Sequence, residues 1–304
     1  MRSKCLIRLV AASAALLSSP AMALSVFVCE PEWKALIAAH APDAMIYSAT
    51  TANQDPHYVQ ARPSLIAKFR QADMAMCSGA ELEVGWLPML QARSGNPLVQ
   101  ESGPNMIYAS NHVRMLDTHN HVDRAMGDIH AHGNPHVQFA VQSIPKLSKV
   151  ITTKLQQIDP DNALQYQVNG MRFRRHWNTK VSEWKQKSAS LRGKRVVGYH
   201  ATYRYLFEWL GVSQVADLEP KPGISPTASH LQSLVRLDYD EIDAIVYSTY
   251  QDSRPANWLQ KQINVPVVAL PLTVRNDETL DSLIDNIIDS LLVNTVLAEH
   301  SVIK

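Results

Sequence analysis

Five of the twelve histidines of this chain fall in one stretch: His119, His121, His130, His132 and His136. The last three lie within Gly127-Asp128-Ile129-His130-Ala131-His132-Gly133-Asn134-Pro135-His136. Imidazole is neutral in a useful fraction of molecules near pH 7 and then offers a lone pair suited to zinc and its neighbours. Gly, Asn and Pro hold such a stretch open as a loop. A dense histidine tract is therefore metal-seeking by composition, and the plainer reading of equal weight is a solvated loop rich in histidine.

Two histidines stand apart from the tract. His57 sits in the turn Asp55-Pro56-His57, and His200 ends the apolar run at residues 195–199. Singly, each has an ordinary explanation as a turn residue or a hydrogen-bonded group at a strand end. In open α/β sheets, however, ligands gather at the carboxyl ends of strands, and two lobes facing each other would bring His57, His136 and His200 into one cleft.

The elements needed to position them are legible. Short β-like runs at residues 25–29, 45–48 and 73–77 alternate with helical patterns at 32–40, 63–70 and 81–92. That is the rhythm of an α/β layer with a parallel sheet. Residues 94–136 read as loop, with Gly95-Asn96-Pro97 and Gly103-Pro104 ahead of the histidines.

From residue 143 to 191 the composition turns to Lys, Arg, Gln and Glu with spaced apolar residues. Leu164, Val168 and Met171, then Trp177, Val181, Trp184 and Leu191, recur at three-, four- or seven-residue steps, with one slip between the groups. One helix of about 30 residues, on the order of 45 Å at 1.5 Å per residue, is expected between Asp159-Pro160-Asp161 and Gly193.

The α/β rhythm then resumes, with strands at 195–199, 215–218, 244–247 and 265–270, helices between them, and a C-terminal helix from residue 278. The expected fold class is α/β: two parallel-sheet lobes, residues 24–158 and 193–304, joined by a long connecting helix at 159–192, with a metal cleft between the lobes.

A chain of 304 residues with 46% hydrophobic content suits two cores at roughly 150 residues per domain. The net charge of +1 argues against a nucleic-acid partner, which normally shows itself as a basic excess. Residues 1–23 read as an export signal: Arg2, Lys4 and Arg8, an apolar run at 9–17, and the small-x-small site Ala21-Met22-Ala23. The mature chain is expected to start at Leu24, in a periplasm, without a membrane span. Cys5 would leave with the signal, and Cys29 and Cys77, each ending a strand-like run, are most simply a disulfide in an oxidising compartment. The sharper alternative is a catalytic or metal-binding thiol.

The ordered motifs Asp55-Pro56-His57, Pro63-Ser64, Ala72-Asp73, Gly79-Ala80-Glu81-Leu82-Glu83, Gly133-Asn134-Pro135-His136 and Tyr199-His200-Ala201-Thr202-Tyr203 span nearly all of the mature chain. They resemble the successive signatures of the metal-binding solute-binding proteins of zinc and manganese ABC importers, of the periplasmic zinc-binding type. The resemblance implies two lobes, a rigid connecting helix, a metal held by His57, His136 and His200, and delivery to a membrane permease. It also implies a histidine-rich loop that collects metal or senses its abundance, here His119, His121, His130 and His132.

Two departures stand out. No carboxylate occupies residues 269–274, where family members often place a fourth ligand, and Asp277 comes a few residues later. Val137-Gln138 follows His136 where the family usually has an aromatic and an acidic residue. The fourth position stays open to water, a loop histidine or a nearby carboxylate.

Three imidazoles with at most one weak further donor favour zinc over manganese, which prefers oxygen. The leading expectation is a monomeric, non-enzymatic zinc-binding protein of an importer. A zinc hydrolase would use the same three histidines with water, but the chain lacks HExxH and GxSxG. A lobed binder of metal chelates and a metal-storage chaperone using the histidine tract complete the alternatives. The six tryptophans fit helix faces and are expected to pack, residues 219–223 to form a connecting turn, and His40, His112, His176, His230 and His300 to have no recognisable partner.

Overall fold

The structure, a computed structural model, describes residues 23–119, 121, 123, 126, 127, 129–236, 242–275 and 277–295. The expected signal segment and His300 lie outside the described residues. The first lobe runs β1 (Ser25–Val28), α1 (Pro31–His40), β2 (Met45–Ser48), α2 (Pro63–Arg70), β3 (Met74–Cys77), α3 (Leu87–Ser94) and β4 (Met106–Tyr108). Two further helices follow, α4 (Ile144–Ile158) and α5 (Ala163–Lys187). The second lobe runs β5 (Arg195–Gly198), α6 (Arg204–Leu210), β6 (Ser213–Asp217), α7 (Ala228–Leu234), β7 (Ala244–Ser248), α8 (Arg254–Ile263), β8 (Val267–Leu270) and α9 (Leu280–Thr295).

Both sheets are parallel and have the same order, β2-β1-β3-β4 and β6-β5-β7-β8. Side chains alternate across each strand, so each sheet serves two cores. Val26, Val28, Met74 and Met76 of the first sheet and Val196, Ala244, Val246 and Val268 of the second belong to one continuous apolar cluster. Trp177 and Trp184 of α5, both fully buried, and Leu283, Ile287 and Leu291 of α9 fill the same cluster. The opposite faces carry separate outer clusters, around Phe27, Phe69 and Trp86 in one lobe and Val197, Leu218 and Leu259 in the other. Cys29 and Cys77, at the ends of neighbouring β1 and β3, form a disulfide with their Cα atoms 4.8 Å apart.

Several expectations need correction. The stretch 94–136 contains β4, a three-residue strand pairing with β3, too short for alternation to betray it. Residues 144–158 form a helix of their own, α4, which Pro160 cannot continue, and the long helix begins after Pro160 as expected. The expected single helix of about 30 residues is the 25-residue α5, flanked by 3-10 turns Pro160–Asn162 and Ala189–Leu191. Its first apolar stripe faces outward: Leu164 is 73% exposed and Met171 45%, while Tyr166, Asn169 and Gly170 are buried. At Gly170 α5 packs against α4 without room for a side chain, since a Cβ there would collide with the Thr152 hydroxyl. The six-residue step from Met171 to Trp177 breaks the period, so the two apolar groups lie on opposite faces: Tyr166, Gly170, Trp177 and Trp184 share the inward face, with close packing at Gly170. Trp86 precedes α3 and does not lie on a helix face.

Candidate metal centre

His57 lies in the turn after β2. Its backbone N–H and its Nδ1 both meet Asp55 Oδ1, at 3.0 and 2.8 Å. Trp86 Nε1 donates to Pro56 O at 2.9 Å and pins the turn from below. Burial pushes the Asp55 carboxyl up, but its hydrogen bonds from His57 and the neighbouring His57 and His200 rings outweigh this and hold it low. The Asp55 carboxylate thus selects the Nδ1–H tautomer of His57 and leaves the lone pair on Nε2, the atom that faces His130 Nε2.

His200 follows β5, and its Nδ1 lies 2.9 Å from Glu219 Oε2. Glu219 follows β6, the neighbouring strand, and the same oxygen accepts Gly223 N at 3.0 Å. Burial works to lower the His200 pKa, but the Glu219 hydrogen bond and the charges of Glu219, Asp217 and Asp55 prevail and raise it. Residues 219–223 therefore do more than connect. A Glu directly after the strand beside β5 was the available signal, and it becomes readable only once the strand order is known.

His136 is 1% exposed, and both its ring nitrogens are buried without a hydrogen-bond partner. Its backbone is held through Asn134, whose Oδ1 accepts His136 N at 3.0 Å and whose Nδ2 donates to Ala201 O at 2.7 Å, across to the second lobe. Burial, then the charges of His200, His57 and His130, push the His136 pKa well below the usual value. An orphaned buried polar group costs about 1–3 kcal/mol, so its retention calls for an explanation.

These three side chains come together. Ring centroids are 6.0 Å apart for His57 and His136, 6.4 Å for His57 and His200, and 5.6 Å for His136 and His200. A fourth ring joins them: His130 stacks on His57 at 5.3 Å, with the two Nε2 atoms 3.2 Å apart. The mouth is a cleft of 390 Å³ lined by residues of both lobes, among them Asp55, His57, Tyr199, His200, Glu219 and Tyr250.

The rest of the histidine tract diverges. His132 points outward, with its side chain 76% exposed and its Nδ1 3.6 Å from Glu81 Oε1. His121 is exposed, while His119 lies on the rim beside His130 and His200. Asp277 is exposed. Donor atoms of Cys29, Cys77 and Glu83 also cluster, but the sulfurs are consumed by the disulfide and offer no thiolate.

Three histidines without expected partners prove to be structural. His40 is wedged between Leu36 O and Ser148 Oγ, His176 meets Asp281, and His230 Nε2 lies 2.9 Å from Asp217 O.

The sequence pattern of the family described as ZnuA, zinc-uptake complex component A, periplasmic, fits residues 27–292. The chain belongs to this family. The ZnuA family comprises metal-binding, non-enzymatic substrate-binding proteins of ABC importers.

Curated relatives include the metal ABC transporter substrate-binding lipoprotein ScbA of Streptococcus cristatus, 21% identical over 230 residues, covering 74% of this chain and 71% of that one. The manganese ABC transporter substrate-binding lipoprotein PsaA of Streptococcus pneumoniae is 22% identical with the same coverage. Among solved structures, a crystal structure of ZnuA superposes with a TM-score of 0.77 at 18% identity, covering 90% of this chain and 100% of that one. A manganese-bound periplasmic metal-binding protein from Candidatus Liberibacter asiaticus gives 0.72 at 17% identity, covering 89% and 98%. At these identities the structural likeness concerns the fold. Among the described residues no helix is long and apolar enough to cross a membrane.

Proposed function

We propose that this member of the ZnuA family captures zinc through His57, His136 and His200 and hands it to the permease of an ABC importer. The observation that carries the reading is the state of His136: buried, low in pKa and without a hydrogen-bond partner, it faces two histidines whose Nδ1 atoms are taken by carboxylates. That pattern leaves donor nitrogens available among three rings whose centroids lie 5.6–6.4 Å apart, as a zinc site with oriented imidazoles requires.

Nitrogen donors favour zinc over manganese, although a relative is named for manganese. Asp55 and Glu219 serve as ring partners, so neither stands ready as the general base of a hydrolase. The export reading, with a periplasmic, monomeric mature chain starting at Leu24 and divided at residues 24–158, 159–192 and 193–304, completes the proposal.

The test is calorimetric titration of the chelator-stripped mature protein with zinc and with manganese, beside His57→Ala, His136→Ala and His200→Ala. One tight zinc site per chain, weakened in all three variants and not displaced by equimolar manganese, is the expected result. Variants that bind like the parent would move the site to the histidine tract and favour storage. Equal affinity for manganese would overturn the choice of metal.

A further inference from the structure

We propose that His130 is the fourth donor of the metal centre and that Glu81 positions it. This rests on the three-histidine reading above and adds to it a ligand carried by the loop.

The first observation is the 3.2 Å separation of His57 Nε2 and His130 Nε2. Two nitrogens on one tetrahedral zinc, each about 2.0–2.1 Å from the ion, stand about 3.3–3.4 Å apart. The Nδ1 of His57 is bound to Asp55, so its Nε2 presents a lone pair, and His130 Nε2 faces that atom at hydrogen-bonding distance, a pair of donors that one metal ion would bridge. His130 also shares the inner rim with Asn134, His200 and Ala201.

A second observation removes the obvious competitor. The segment after β8 supplies Leu272, Thr273 and Val274, all buried, and the Thr273 hydroxyl is engaged by Glu32. A side chain from that segment therefore leaves the fourth position open.

The third observation is how the loop is held. Ala131 N, next to His130, donates to Glu81 Oε2 at 2.7 Å, and Ala131 O accepts His119 N at 3.2 Å. Glu81 reaches the loop from a strained backbone: Gly79, Ala80 and Glu81 have consecutive φ values of 79, 50 and 68°. Left-handed conformations at two residues bearing a Cβ persist only when the surroundings enforce them, and they gather at functional sites. Here Glu83 enforces the turn by accepting Ser78 N at 2.8 Å and Gly79 N at 3.1 Å. On the far side, a Cβ at Gly127 would lie 2.5 Å from Pro222 O, so the loop backbone reaches the second lobe beside the Glu219 turn. The loop is clasped at both lobes, and a single residue, Ala131, separates its inward histidine, His130, from its outward one, His132.

The experiment uses the full mature chain with His130→Ala, Glu81→Ala, His132→Ala and the three cleft variants. Zinc affinity is measured by competition with a chelator, and cobalt(II) serves as a spectroscopic substitute whose visible bands report the donor set. His130→Ala should weaken zinc by about tenfold or more, the scale at which even outer-shell partners register, and change the cobalt spectrum as water replaces nitrogen. Glu81→Ala should do part of the same, and nothing further when combined with His130→Ala, because it acts through that ring. His132→Ala should match the parent.

If His57→Ala, His136→Ala and His200→Ala lose zinc while His130→Ala keeps the parent affinity and spectrum, the fourth-ligand proposal falls and the transport reading stands. An equal effect from His132→Ala would likewise overturn it, since the loop would then act by composition rather than by ligation. If the cleft variants bind like the parent, both readings fall.

Discussion

His136, His200 and His57 have the same side chain and three different electrostatic environments. His136 is kept neutral by burial, whereas Glu219 keeps His200 protonated above the ordinary histidine value. Coordination requires the His200 proton to leave, so metal affinity should begin to fall at a higher pH than an unperturbed histidine near 6.5 would give. Titration in buffers of different ionisation enthalpy should show proton release near neutral pH, and Glu219→Gln should abolish it while weakening zinc by about 10–100-fold. An affinity flat down to pH 5 would contradict an imidazole site.

Behind His136, burial pushes Glu30 well above the usual carboxylate range and takes Glu32 and Glu83 to about 7. These raised values mean the folded state binds more protons than the unfolded state, so stability falls as pH rises through about 7. His200, also raised, has the same sign, and the lowered His40 and His136 oppose it only below about 6.5. Metal-free protein should thus melt at a higher temperature at about pH 6.5 than at about pH 8. Glu30→Gln should flatten the difference, and a reversed slope would count against the assignment. Asp55-Pro56-His57 and Gly133-Asn134-Pro135-His136 were readable as loops presenting histidine. That Glu219 meets His200 was not, because nothing local links residues on adjacent strands.

At the level of elements, α4 and α5 meet at Gly170, against the Thr152 hydroxyl. Alanine there would gain about 1 kcal/mol of helix propensity but overpack the contact, at about 1–3 kcal/mol. Thr152 is β-branched and hydrogen-bonded to Ser148 O, so it does not swing aside easily. Gly170→Ala should lower the urea midpoint, and adding Thr152→Ala should restore most of it; additive losses would show that the contact is not the cause. The strands were readable because short apolar runs ended at turn residues. The orientation of α5 was not, since Leu164, Val168 and Met171 keep a good helical period and still face solvent.

Over the whole molecule, α1 of the first lobe and α9 of the second touch each other and α5, and the inner faces of both sheets feed one apolar cluster. The lobes therefore share a core, and the connecting helix α5 is part of that core. A chain so joined should unfold in one transition, with near-ultraviolet signals from Trp177 and Trp184 and far-ultraviolet signals from the sheets coinciding. Two resolved transitions in calorimetry would show that the lobes melt separately.

What the sequence determined by itself was the α/β alternation, the long helical stretch, the histidines at strand ends and the order of motifs, because periodicity and turn chemistry are local. Tertiary structure alone decided which carboxylate meets which ring, that His130 turns inward while His132 turns out, and that His136 is buried with no partner. Those outcomes depend on strand order and on contacts between segments dozens of residues apart, where neither spacing nor composition carries the information.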